Sequence, residues 1–232
     1  MFTCGPSFFA QASGGGGPSD PYWASVASLL HLDGSSGSTT FTDQKGLSWS
    51  AMGGAVLNTS TFKFGSASLA CNGISSAAQN STALAVGSGD FTIEGWLYPT
   101  SLSSVLLFFD QRPASTNGLY PALYLDSSGN IHFFVANGDV LVQSSGGLAT
   151  NIWTHVALSR VSGTTRLFTA GVSRGSVADT NNYLASRTLI GQSSFNTGAT
   201  SFTGYIDDWR ITIGVGRYTS NFTPPTAAFP DH

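Results

Sequence analysis

The sequence predicts an all-β protein, a two-sheet antiparallel jelly-roll sandwich carrying a flexible N-terminal arm. Three observations carry this. Gly, Ser and Thr supply 28, 34 and 24 of the 232 residues, a composition suited to turns and small-residue strand faces. Only 9% of the chain is charged, with a single Glu, Glu94, and two Lys, Lys45 and Lys63. Long surface helices need Glu and Lys on their wet faces. Short apolar or alternating runs recur between clusters of Gly, Ser, Asn and Asp, the pattern of strands and turns. With 41% hydrophobic and 12% aromatic residues at a net charge of −3, the chain lacks the signature of disorder. The same charge leaves no electrostatic footprint for nucleic acid or an anionic membrane. No run approaches the ~18 apolar residues of a membrane helix, and no segment near the start reads as a signal peptide.

Residues 1–20 read as the arm. Gly14 to Gly17 followed by Pro18 is a flexible stretch. Phe2, Phe8 and Phe9 offer it apolar groups with which to dock on a partner; the alternative is a tail with incidental aromatics. Residues 21–232 read as one domain, large enough for a core without a disulfide staple. Cys4 and Cys71 are the only cysteines, and nothing around them demands a bridge.

The strands follow in order. Ser28 to Leu32 is an apolar run that stops at the turn Asp33-Gly34. Phe91 to Tyr98 alternates and stops at Pro99. Its Phe91, Ile93, Gly95 and Leu97 share one face; Thr92, Glu94, Trp96 and Tyr98 share the other. Val105 to Phe109 is wholly apolar, as a buried central strand should be. Leu119–Leu125, the turn 127–130 and Ile131–Val135 form a hairpin. Asn137-Gly138 turns into Val140–Gln143. Trp153–Arg160 and Thr164–Ala170 pair across Ser162-Gly163. Thr203 to Ile213 is the last long strand. Some twelve to fourteen strands are expected, with weak helical patches only at Pro21–Ala27 and Asn181–Ser186. Ser and Thr are expected on the wet faces.

Four segments together resemble the concanavalin A-like lectin/glucanase superfamily, in its laminin-G-like jelly-roll branch. They are Lys63-Phe-Gly-Ser-Ala-Ser-Leu69, Gly89-Asp-Phe-Thr-Ile-Glu-Gly-Trp-Leu-Tyr-Pro99, Trp153-Thr-His-Val-Ala-Leu-Ser-Arg160 and Phe202-Thr-Gly-Tyr-Ile-Asp-Asp-Trp-Arg-Ile-Thr212. The lead-in Asp20-Pro-Tyr-Trp-Ala-Ser-Val26 and the tail Gly216 to Pro230 are similar to flanks of such domains in tailed-phage structural proteins. That resemblance implies a virion location, as a capsid decoration or head/tail accessory protein. Its implied partners are other virion proteins, such as the major capsid or tail protein, held through the arm. Self-association into a homo-oligomer is compatible with such a role. The alternative is a lectin module that recognises host surface glycans.

The resemblance raises hydrolysis, which needs two carboxyl groups about 5–9 Å apart. The glucanases of the superfamily carry Glu-x-Asp-x-x-Glu on one strand; this chain has one Glu and no such run. Asp207 and Asp208 are adjacent and should point to opposite faces. No Gly-x-Ser-x-Gly is present, and His31, His132 and His155 lie within expected strands. No catalytic residue is therefore assigned, and no enzyme is expected. The resemblance also implies a structural calcium ion near the first and last strands. The matching positions are Asp33 and Asp207 or Asp208, with Asp43 adding an oxygen. The alternative is that these residues cap turns or pair with arginines such as Arg210. Sugar binding needs exposed aromatic faces with polar groups at their edges. Tyr120, Tyr124, Phe195, Tyr205 and Tyr218, in or beside loops, are the candidates; the alternative is that they belong to the core.

Overall fold

A computed structural model describes residues 19–136, 138–197 and 200–232. The arm up to Pro18, with Phe2, Phe8 and Phe9, lies outside the described residues. The strands run β1 (Val26–Leu30), β2 (Thr40–Thr42), β3 (Ser48–Gly53), β4 (Val56–Asn58), β5 (Ser68–Asn72), β6 (Ser76–Asn80), β7 (Phe91–Pro99) and β8 (Leu106–Asp110). They continue as β9 (Ala122–Leu125), β10 (Ile131–Val135), β11 (Gly138–Val142), β12 (Thr154–Val161), β13 (Thr164–Thr169), β14 (Val172–Ala178), β15 (Thr188–Ile190) and β16 (Thr203–Ile213).

Two antiparallel sheets of eight strands stack into the sandwich. Sheet A has the order β14-β13-β12-β7-β16-β5-β4, with β1 also on β16; sheet B has the order β11-β10-β9-β8-β15-β6-β3-β2. Sixteen described strands exceed the expected number because β2, β4 and β15 are three-residue strands too short to show a period. Among the described residues helix is confined to one 3-10 turn, Trp23–Ser25; residues 181–186 form none.

The core fills the space between the sheets. Trp209 stacks on Phe109 (ring centroids 5.8 Å apart, 25° between planes) and meets Phe108 edge-on. Gly95 makes room for it: a Cβ there would stand 2.4 Å from Cε3 of Trp209. A bulge in β16 fixes the phase of that strand. Asp207 faces Trp96 and Arg210 faces Glu94, so three steps on β16 match two on β7. The extra residue, Asp208, has φ +46°.

The expected faces of β7 are correct, but its outer face is not wet. Thr92, Glu94 and Trp96 are all buried. Residues 215–232 cross the outside of sheet A as a strap. The amide N–H groups of Arg217 and Tyr218 donate to Thr92 Oγ1 and Ser159 Oγ, and that of Phe222 donates to the Gly171 carbonyl. The Phe229 amide donates to Asp208 Oδ2 at 2.8 Å. Asp20, at the end of the expected arm, belongs to the folded body. It is buried, and its amide donates to the His232 carbonyl.

Candidate functional site

The outer face of sheet B, across β8, β9 and β10, carries an aromatic hollow. Its side chains follow from alternation. On β10, Ile131, Phe133 and Val135 enter the core, which turns His132 and Phe134 outward. On β9, Tyr124 lies opposite both His132 and Leu107. Val105, Leu107, Arg112, Tyr124 and Phe134 line a hollow of about 150 Å³.

Arg112 is the rigid part of the wall. Its Nε and Nη2 donate to Asp110 Oδ1 and Oδ2 at 2.9 and 2.7 Å, a bidentate fork that fixes the guanidinium plane. Asp110 is itself held by the amides of Arg112 and Ser194. The guanidinium carbon then lies 5.3 Å from the ring centre of Phe134 and 5.1 Å from that of Phe195. Both groups of the ion pair are buried, and their charges cancel.

The opposite wall is polar at its rim. Tyr124 stacks face to face on His132, with centroids 4.4 Å apart and 13° between planes. Nδ1 of His132 is 2.9 Å from Asp139 Oδ2, and Nε2 is 3.3 Å from Asp126 Oδ2. The Tyr124 hydroxyl donates to Asp139 Oδ1 at 3.2 Å. Burial, then Asp139, pushes that phenol up to about 12, so it stays protonated. Burial opposes ionisation of Asp126, but the amide and side chain of Asn130 and the ring of His132 hold its carboxyl below the usual range. An apolar floor, a flat ring and a rim of acceptor oxygens suit a sugar: its C–H face stacks and its hydroxyls donate.

The five sequence candidates divide. Tyr124 and Phe195 converge here. Tyr120 stands beside the site on the segment that pairs with Ala136 through Gly118 but does not line the hollow. Tyr205 lies on the other sheet. Tyr218 is packing, not a platform: its ring stacks on Phe222 at 3.7 Å, and its hydroxyl donates to Glu94 Oε2 at 2.7 Å. Sequence reasoning missed Arg112, Phe134 and His132. Alternation within Ile131–Val135 was a signal for the last two; a bulge between Leu107 and Phe109 hid the placing of Arg112.

The acidic residues form other structures. Glu94 is fully buried under the strap, where Arg210 donates to its Oε1 through Nε (3.0 Å) and Nη2 (2.7 Å). Arg210 and Arg217 also both donate to Asp20. Burial opposes the charge on Glu94, but Arg210, His155 and Arg217 outweigh it and hold the carboxyl well below its ordinary range. His155, also fully buried, places Nε2 3.3 Å from Glu94 Oε2 within a box of Trp96, Phe222 and Phe229.

The four carboxylates matched to calcium do not fit that ion as arranged. Asp33 Oδ1 accepts from the Ser66 and Ala67 amides; Asp43 accepts from Ser28, Lys45 and Trp49. Asp207 Oδ2 accepts from the Lys63 and Phe64 amides, and Asp207 Oδ1 from the Asp208 amide. Asp208 holds His31 and Phe229. Most of these oxygens already accept from N–H or O–H donors of the chain, whereas a calcium shell needs six to eight oxygens turned to the ion. Among the described residues no group of three His, Cys, Asp or Glu could hold a metal. Cys71 is a free, buried thiol whose burial pushes it up to about 12.

A lectin-like β-sandwich with an aromatic hollow on one sheet is thus the class that fold and site define. Residues 72–213 match the laminin G family model described as concanavalin A-like lectin/glucanases superfamily, and the chain belongs to that family. A comparison with curated protein sequences gives no match. Among solved structures, domain 4 of AbnA, an extracellular GH43 arabinanase from Geobacillus stearothermophilus solved with arabinotriose, is similar at TM-score 0.62 and 18% identity, over 82% of this chain and 93% of that one. The botulinum neurotoxin serotype D binding domain is similar at 0.61 and 14%, over 83% of this chain and 49% of its own. Trypanosoma rangeli sialidase with sialic acid is similar at 0.58 and 12%, over 82% and 31%. The chain therefore spans about half of the neurotoxin domain and a third of the sialidase. At these identities the likeness is one of fold.

Proposed function

We propose that this chain is a non-catalytic, glycan-binding adhesion module whose ligand seats in the sheet B hollow. The observation that carries this is Arg112, locked by Asp110 between Phe134 and Phe195 beside the stacked Tyr124 and carboxylate rim. Such pre-organisation has no evident purpose for the core, which lies on the other side of the sheet. The arabinotriose in the AbnA domain supports the reading by analogy of fold. The absence of hydrolysis is supported by the burial of Glu94, with its oxygens committed to Arg210 and Tyr218. A glycan array followed by titration calorimetry tests it. Tyr124→Ala and Phe134→Ala should each weaken at least one hit at least tenfold, and the bound glycan should be recovered uncut. An array without a hit, or hits indifferent to both substitutions, would sink the reading.

A virion location is the second element of the proposal, and it rests on the resemblance of the two flanks. The lead-in and the tail that resemble phage structural proteins form a single unit, since Arg217 donates to both oxygens of Asp20. Residues 1–18 would anchor this unit to a capsid or tail protein. Deleting them, which spares Asp20, should abolish attachment to particles; particles that still carry the shortened chain would show that the arm is not the anchor.

A further inference from the structure

We infer a second glycan-binding face, on the outer surface of sheet A and independent of the hollow on sheet B. Its residues come from one level of four adjacent strands, β4, β5, β16 and β7, and from Trp153, the residue before β12. Val56 lies opposite Ala70, Ala70 opposite Tyr205, and Tyr205 opposite Tyr98. Trp153, at the head of β12, continues the row. Tyr205 and Tyr98 have ring centres 5.8 Å apart, and Tyr98 and Trp153 5.3 Å. At about 4.8 Å per strand, the row spans roughly 19 Å.

Neighbouring levels of this face are covered, and this one is not. One level down, Trp96 lies under Lys63 and Phe64, with Lys63 Nζ 4.2 Å from its ring centre. His155 lies under the strap. Tyr98, Trp153 and Tyr205 are all only partly buried. Among the described residues nothing hydrogen-bonds to the hydroxyl of Tyr98 or of Tyr205, so both remain available to a ligand. Beyond Tyr205 the floor drops into a hollow of about 270 Å³, lined by Gly54, Ala70, Asn72, Thr100 and Gly204. Gly204 is fixed by the adjacent backbone: at φ +143° a Cβ there would lie 2.1 Å from the Tyr98 carbonyl oxygen.

The chemistry selects the occupant. Three part-buried rings inclined to one another, by 67° between Tyr205 and Tyr98 and by 53° between Tyr98 and Trp153, form a twisted apolar strip with hydroxyls at its edge, which suits units that present C–H groups on one side and hydroxyls at the edge. No residue of the row is charged, and Lys63 is engaged over Trp96. A length of roughly 19 Å exceeds one sugar ring. The face therefore fits a stretch of linear, uncharged polysaccharide. With the hollow on the opposite sheet, a single chain would hold glycan on two sides.

Affinity electrophoresis of the full chain tests this, in gels containing hydroxyethylcellulose, galactomannan or linear arabinan. At least one polymer should retard the protein. Tyr205→Ala and Tyr98→Ala should each reduce that retardation at least fivefold, while Tyr205→Phe, which keeps the ring, stays within twofold. Retardation by that polymer should persist at least in part in Tyr124→Ala. No retardation by any polymer, as for a face that binds peptide, overturns the proposal. So does retardation indifferent to Tyr205→Ala and Tyr98→Ala. Loss with Tyr124→Ala alone would assign the polymer to sheet B, sparing the first reading and removing this one. Melting curves identify a variant that fails to fold; Trp153→Ala then reads the same row.

Discussion

Glu94, the only Glu in the chain, is an acid closed off from solvent. Its oxygens are shared among Arg210, Tyr218 and His155 with no exposed surface. Removing one member of a buried ionic network leaves its partners desolvated and unpaired, at a cost of about 3–5 kcal/mol. Glu94→Gln should therefore lower the melting temperature at pH 7 by about 10 °C for a domain of this size. The pH dependence has a definite sign. The folded carboxyl ionises below its ordinary value of 4.5, so its contribution is complete above that value and is lost as pH falls through the folded value. The gap between the two proteins should narrow as pH falls below about 4.5. A variant melting within 2 °C of the parent at pH 7 would refute the account. Gly95 is the steric counterpart. Gly95→Ala drives a methyl into Trp209 and should cost about 1–3 kcal/mol by overpacking, read as a lower denaturation midpoint.

The strap is the element through which sequence and structure differ most. Alternation gave the strands and even the faces of β7, because period two is a local property of the chain. It could not show that residues 215–232 return over the outer face, which long-range hydrogen bonds to Thr92, Ser159 and Gly171 decide. Hence Thr92 and Ser159 of this face are partners of the strap and not water-facing residues, and Tyr218 is a part-buried hydrogen-bond donor instead of a sugar platform. Ending the chain after Ile213 would expose Glu94, Arg210, His155 and Phe168 together. The shortened protein should fail to give a cooperative melting transition and should bind a hydrophobic dye. Tyr218→Phe is the milder form of the same test. Losing one hydrogen bond to a charged acceptor should cost about 1.5–3 kcal/mol, and a variant as stable as the parent would show that this hydroxyl does not hold the strap.

At the scale of the molecule, the candidate faces were only half legible in the chain. Tyr124 and Phe195 belong to one site and Tyr205 to another, and their grouping depends on register: Tyr205 meets Tyr98 only because β16 pairs with β7, and Arg112 meets Phe134 only through the pairing of β8, β9 and β10. Composition, by contrast, already limits how the whole molecule can bind. The chain has nine Lys and Arg against twelve Asp and Glu, and many of these cations are spent internally. Arg112, Arg160 and Arg210 are buried, while Lys45 and Lys63 lie over Trp23 and Trp96. Adhesion through basic groups releases counterions and falls steeply with salt, and exposed charge pairs are screened beyond about 10 Å at 0.1 M. Stacking on uncharged sugar rings depends on neither. Retention by a neutral polysaccharide should accordingly change less than twofold between 0.05 and 0.5 M NaCl. A tenfold loss over that range would mean that charge carries adhesion and that the aromatic faces do not.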